Sequence, residues 1–310
     1  SLNFFRDLKT IKEIFKIIKN SKPDMIISYT AKPVIYTGLI LKYFPKISYF
    51  PLITGLGFAF TESHHVKKKI IKYLMINLYK IALKKAVKIS FQNVDDQLLF
   101  LQLRIIKKKY LSNVTNGSGV DLNLYPFSNL PSKPIFLMIS RLLVDKGVRE
   151  YVEAARIVRS HFSNVSFQLA GYLDENPSGI TNDELQTWIN KGDIEYLGEV
   201  KSVQSILKSC RFFVLPSYRE GTPRSTLEAL ATGRPIITTD VPGCRETVIH
   251  NKNGLLVPVK NYKALANAMM KLLNEKNETI EKMAYESYLI AKNKYEINKV
   301  NQSIFNIMSL

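Results

Sequence analysis

The 310 residues are 46% hydrophobic and 23% charged, which describes a folded chain long enough for two domains with separate cores. Two cysteines and four histidines, with no Cys-x-x-Cys, argue against a disulfide framework or a structural zinc site. The net charge of +18 is lopsided, because residues 1–110 carry 21 Lys/Arg against 6 Asp/Glu while the remainder carries 23 against 20.

Such a division implies two tasks, with the basic half suited to nucleic acid, an anionic membrane or a phosphorylated substrate. Cys210 and Cys244 as lone thiols point to a reducing compartment, and the His64-His65 pair reads as solvated. The opening SLNFFRDLKTIKEIF carries charges at helical intervals and is no signal peptide. A helix at the very start, with no strand before it, suggests that a first strand-turn-helix is missing. DMIISYT (24–30) is the first strand, and its end presents Thr30 and Lys32 at the rim ahead of the helix PVIYTGLILKYF. ISYFPLIT (47–54) ends in Thr54-Gly55-Leu56-Gly57, where Gly55 and Gly57 permit close approach of a ligand.

The stretch 64–90 reads as a basic amphipathic helix. Ile70, Ile71, Leu74, Met75, Leu78, Ile81 and Ala82 are its apolar positions, flanked by lysines at 67–69, 72, 80, 84 and 85. That pattern suits a helix lying on anionic lipid, and equally a core helix with a lysine-rich outer face. No aromatic side chains are interleaved as stacking platforms, which speaks against nucleic acid. No apolar run reaches the length of a bilayer span. VKISFQ (87–92) is a further strand, and the proline-rich, aperiodic stretch 121–134 is the best domain boundary.

Beyond it, PIFLMIS (134–140), VSFQLAG (165–171), IEYLG (194–198), RFFVLPS (211–217) and PIITTD (235–240) are near-continuous apolar runs, each followed by a helical pattern. Repeated βα units of this kind form parallel sheets with helices on both faces, the α/β class. We expect one domain over 1–125, another over 133–290, and a tail, 291–310, able to cross back onto the first. Doubly wound sheets take ligands at the carboxyl ends of their strands, so the chemistry belongs to the loops there.

Two such loops carry charge. Ser140-Arg141 and Lys146-Gly147 follow PIFLMIS, a fork of donors and a mobile point charge that could converge on an anion. Glu220-Gly221-Thr222-Pro223 follows RFFVLPS, with Gly221 open to a ligand and Pro223 suited to a first helical position. The helix start there favours an anion. Ser225-x-x-Glu228 also fits a capping box, so Glu228 reads as either a helix cap or a ligand. The chain has no Asp-x-Asp pair to carry a divalent metal, which leaves cations and a helix terminus to handle a diphosphate.

The combination SRLLVDKG, YLGEV, LPSYREGTPRSTLEALATGRPIITTDVPGCRETV and NGLLVP resembles the retaining, nucleotide-sugar-dependent glycosyltransferases of the GT-B fold marked by two glutamates seven residues apart. TGLGFAFTE, GYLDENP and NGSGVDLNLYPF are similar to the bacterial subgroup that builds capsule, O-antigen and glycoprotein glycans. The resemblance implies two Rossmann-like domains facing a cleft, a UDP-sugar donor (an N-acetylhexosamine), an acceptor on undecaprenyl diphosphate, and no metal or other cofactor. It implies that Arg141 and Lys146 neutralise the departing diphosphate, Glu220 lies against the donor sugar, and Glu228 accepts from the ribose hydroxyls. Gly221, Thr222 and Pro223 would give close amide contacts, Leu197 to Val200 would border the uracil, and Gly55 and Gly57 would face the donor from the first domain. It also implies a cytoplasmic protein, peripheral on the inner face of the membrane. A non-catalytic nucleotide-sugar or membrane-surface binding protein is the competing reading, motivated by the missing first βα unit.

Overall fold

The structure is a computed structural model and describes residues 4–57, 60, 66–107, 112–174, 176 and 178–308. The His64-His65 pair lies outside them. Contacts divide the chain into two compact units, residues 1–117 with 301–310, and residues 118–300.

The first unit alternates helix and strand: α1 (Phe4–Ser21), β1 (Met25–Tyr29), α2 (Ala31–Ile40), β2 (Ser48–Ile53), α3 (Val66–Ala82), β3 (Ile89–Phe91), α4 (Val94–Gln102) and β4 (Ser112–Val114). The strands pair in parallel in the order β1-β2-β3-β4. Parallel pairing forces a crossover between neighbours, and the helices supply it while covering the sheet. Gly38 brings α2 against α3, since a Cβ there would lie 2.2 Å from the Ala82 carbonyl oxygen.

The second unit contains β5 (Ile135–Ile139), α5 (Val148–Arg159), β6 (Ser166–Ala170), α6 (Asn182–Asn190), β7 (Glu195–Gly198), α7 (Val203–Ser209) and β8 (Phe212–Leu215). It continues through α8 (Arg224–Ala231), β9 (Ile236–Thr239), β10 (Gly254–Val257), α9 (Tyr262–Asn274) and α10 (Asn277–Ile290). A π-helical turn at Ala291–Tyr295 leads into α11 (Ile297–Met308). The six parallel strands run β10-β9-β8-β5-β6-β7. Every residue of β8 and β9 is buried, as the continuous apolar runs require when helices cover both faces.

Each strand expected from the apolar runs is present. Two more, β4 and β10, join the sheets without having been expected. Chain order defines where a ligand belongs in the second sheet. From β5 the chain winds outward through β6 and β7, then returns to β8 on the other side of β5 and winds the opposite way. The loops leaving β5 and β8 therefore diverge from a topological switch point, and a crevice opens between them at the strands' carboxyl ends.

Candidate active site

Both loops are shaped by their own sequence. After β5, Val144–Lys146 makes one 3-10 turn, and Gly147 follows with φ 75° as the residue before α5. A Cβ on Gly147 would lie 2.2 Å from the Pro216 carbonyl oxygen, so only glycine lets this loop close onto the end of β8. That approach brings the Lys146 Nζ to 2.5 Å from Glu220 Oε1, which also accepts from the Ser217 hydroxyl at 2.8 Å. Arg141 lies further out, its guanidinium donating to Asp174 Oδ2 at 3.0 Å. The other Asp174 oxygen accepts from the Asn176 backbone at 2.9 Å and fixes the turn from which Asp174 projects.

After β8, the chain reaches α8 through Gly221, Thr222 and Pro223, all buried. Pro223 is the residue before the helix, one position earlier than its sequence suggests, and α8 has no side-chain cap at its start. This removes the capping-box reading of Glu228. With the helix beginning at Arg224, Ser225 is already inside it and Glu228 falls on the second turn, beyond the amides a cap serves. Its carboxylate instead accepts from Arg224 Nε at 2.9 Å, one turn back. Glu228 is only 7% exposed while the Arg224 side chain is 75% exposed, so the carboxylate is held from the solvent side. The Tyr125 hydroxyl faces the same carboxylate, and burial together with that negative charge pushes its pKa up to about 12.

Arg141, Lys146, Glu220, Glu228, Pro223 and Val200 line one cavity of about 360 Å³, with the start of α8 on its wall. Leu197 packs against the core, and Gly221 and Thr222 are buried without lining the cavity. Glu199, inside the stretch expected to border the base, also lines the cavity, as do Tyr172 and Val203, which were not singled out in the sequence. Asp145 is a further, half-buried carboxyl beside the pair; its partial burial raises its pKa, Lys146 opposing and the Glu220 charge adding. Three cations (Arg141, Lys146 and Arg224), three carboxylates (Glu199, Glu220 and Glu228) and the positive end of a helix thus surround one opening at the switch point. Such a set can hold a polar ligand that carries an anion at one end and hydroxyls at the other. Among the described residues, no group of His, Cys, Asp and Glu is arranged to hold a metal ion.

The remaining expected residues belong to the first unit. Lys32 donates to Asp7 Oδ1 at 2.7 Å and holds that carboxyl below its usual pKa. Thr30 precedes α2 with φ 68° and ψ 158°, a conformation that costs a non-glycine residue free energy. Gly55 and Gly57 have φ 114° and 62°, which explains glycine at each.

Comparison with known proteins places this geometry in a family. The family model described as glycosyl transferases group 1 matches residues 133–275, and one described as glycosyl transferase 4-like matches residues 3–93. A Campylobacter jejuni protein, N,N'-diacetylbacillosaminyl-diphospho-undecaprenol alpha-1,3-N-acetylgalactosaminyltransferase, is 32% identical over 94% of this chain and 81% of its own. An Escherichia coli UDP-Gal:alpha-D-GlcNAc-diphosphoundecaprenol alpha-1,3-galactosyltransferase is 26% identical over 89% of this chain and 73% of its own. Among solved structures, sucrose-phosphate synthase from Thermosynechococcus elongatus superimposes with a TM-score of 0.83 at 17% identity, covering 100% of this chain and 80% of that one. The fold is GT-B, with two Rossmann-like α/β units.

Proposed function

The chain belongs to the group 1 glycosyltransferases, and we propose from that premise that it moves an N-acetylhexosamine from its UDP conjugate to a saccharide on polyprenyl diphosphate during bacterial surface-glycan assembly. The observation that carries this reading is the cavity at the switch point, where Arg141, Lys146, Glu220 and Glu228 line one opening. A purely binding protein would need the same pocket. The transferases named above align over nearly the whole chain, which favours catalysis.

The chemistry follows from where charge appears. The bond between the anomeric carbon and the β-phosphate oxygen breaks, and its electron pair leaves with UDP. The acceptor oxygen bonds the same carbon as its hydroxyl proton is released to solvent. The leaving diphosphate gains one negative charge, and Arg141, Lys146 and the start of α8 are the groups that would meet it. Fixed donors of this kind stabilise charge as it develops without reorganising. Glu220 would hold the sugar and Glu228 the ribose hydroxyls, with Val200 bordering the base and Gly221, Thr222 and Pro223 bringing the backbone close. We assign retention of anomeric configuration and independence of divalent metal, the protein's own cations taking the role a metal could otherwise fill. The acceptor's lipid and the basic first half support a peripheral protein on the inner membrane face; no described helix is long and apolar enough to cross a membrane.

Incubating the protein with a panel of UDP-sugars and a synthetic polyprenyl-diphosphate saccharide, with products read by mass spectrometry, tests the proposal. Transfer should occur with a UDP-N-acetylhexosamine, persist in chelator, and give a glycoside of the donor's anomeric configuration by NMR. Arg141→Ala and Glu220→Ala should abolish it in folded protein. Unchanged transfer by either variant would overturn the site assignment.

A further inference from the structure

Helix α3 has two apolar faces, and the protein covers one of them. Ile71, Met75, Leu78, Tyr79 and Ala82 turn inward, with Tyr79 and Ala82 fully buried, and the Gly38–Ala82 approach clamps this face to α2. On the opposite side Val66, Ile70, Tyr73, Leu74 and Ile81 are 70, 58, 70, 56 and 51% exposed. At about 100° per residue, these five fall in a stripe about 100° wide. Asn77 is the polar residue within it, and its side-chain amide donates back to the Tyr73 carbonyl at 2.9 Å, inside the helix. The sequence periodicity merges both faces into one set, because neighbours such as Leu74 and Met75, about 100° apart, fall one on each face.

We infer that the outer stripe of α3 is the surface by which this protein enters an anionic lipid bilayer, lying flat at the level of the headgroups. This rests on the reading that the acceptor is lipid-linked. Five exposed large apolar side chains on one helix are more than scattered surface residues would supply. What covers them is decided by the charge beside them. Lys69 and Lys80 border the stripe and Lys84 and Lys85 follow it, in a half-chain with 21 cations against 6 anions. A second copy docked on the same stripe would bring lysines against lysines. Anionic headgroups provide the opposite charge while the acyl boundary takes the apolar side chains, and Tyr73 suits the region between.

The full chain is tested against vesicles of phosphatidylcholine alone and of phosphatidylcholine with phosphatidylglycerol. It should float with the anionic vesicles and be released as salt rises. Ile70→Asp with Leu74→Asp should weaken binding at least about tenfold without changing the melting curve or transfer to a short, water-soluble polyprenyl acceptor. Tyr73→Trp should be quenched by brominated lipid, against the constant background of buried Trp188. Failure of the wild type to bind, binding indifferent to the double aspartate, or a dimer that the aspartates dissolve would each overturn the inference. Absence of transfer to the soluble acceptor would instead strike the enzymatic reading, so the two fail separately.

Discussion

Glu220→Gln and Glu228→Gln should move UDP affinity in opposite directions. Lys146 is bound to Glu220 at 2.5 Å, with the two side chains 17 and 13% exposed. A diphosphate that recruits Lys146 must draw it away from that carboxylate. A charge-assisted hydrogen bond has a net worth of about 1.5–3 kcal/mol when well shielded, and partial exposure brings this pair to about 1 kcal/mol. Glutamine keeps an acceptor for the Ser217 hydroxyl but gives up the charge, so UDP should bind Glu220→Gln about fivefold more tightly. Glu228 is buried, and in the proposed reading its charge meets the ribose hydroxyls directly. Its amide should cost about 1.5–3 kcal/mol, or roughly ten- to a hundredfold in UDP affinity. Calorimetry with UDP at fixed pH and ionic strength measures both, and initial rates with the lipid acceptor should show Glu220→Gln losing transfer despite tighter product binding. If Glu220→Gln weakened UDP as much as Glu228→Gln does, the division of labour between the carboxylates would be wrong.

Asp174→Asn addresses the other cation. Its pair with Arg141 is half-exposed and worth about 0.2–1 kcal/mol, so freeing the guanidinium should tighten UDP by up to about fivefold in low salt, with the gain shrinking as salt is added. Glu184→Gln tests a structural pair by its pH dependence. Two bonds from Arg149, at 2.7 and 3.1 Å, lower the Glu184 pKa most, burial opposes, and the Thr181 backbone adds. A carboxyl whose folded pKa lies below its unfolded value stabilises above the unfolded pKa and loses that stabilisation as pH falls through the folded one. Denaturant melts should therefore show a deficit of about 0.5–1 kcal/mol for the variant at neutral pH, closing in acid below the ordinary carboxylate range. A gap that stayed constant down to the acid limit would exclude the ion pair as its source.

The parallel sheets were legible because strands buried on both faces must be continuously apolar, as Ile135–Ile139 and Phe212–Leu215 are. Ser112–Val114 escaped notice because three residues that include Ser and Asn carry no such run; it pairs with β3 alone. Arg141, Lys146 and Glu220 could be found because each follows a strand by a few residues. Glu228 could not be resolved locally, since Ser225-x-x-Glu228 matches a cap motif in the wrong frame, and only the helix start at Arg224 decides it. Tyr172 and Val203 reach the cavity through the lateral pairing of β5, β6 and β7, which no local pattern encodes. Periodicity likewise marked α3 as apolar without showing that it has two apolar faces.

The stretch 121–134 shows how far composition can mislead about role. Its prolines and lack of period describe a spacer, yet Tyr125 is 6% exposed within the second unit's core and turns its hydroxyl toward Glu228. Phe127 packs edge-on against Tyr288 of α10. Two residues on, the chain is held by Arg234, a fully buried cation in the turn after α8. Its guanidinium bonds the carbonyls of Cys210, Ser128, Asn129 and Thr232 and the Ser128 hydroxyl. Burying a charge without hydrogen bonds would cost several kcal/mol, and here carbonyl dipoles from three separate segments offset that cost. The segment is thereby fastened at one end to the α8–β9 turn, and at the other it touches the carboxylate that α8 presents. Glu228 is thus held by Arg224 on its solvent side and by Tyr125 from the core, and the apparent spacer is part of what keeps this carboxylate pointed into the cavity.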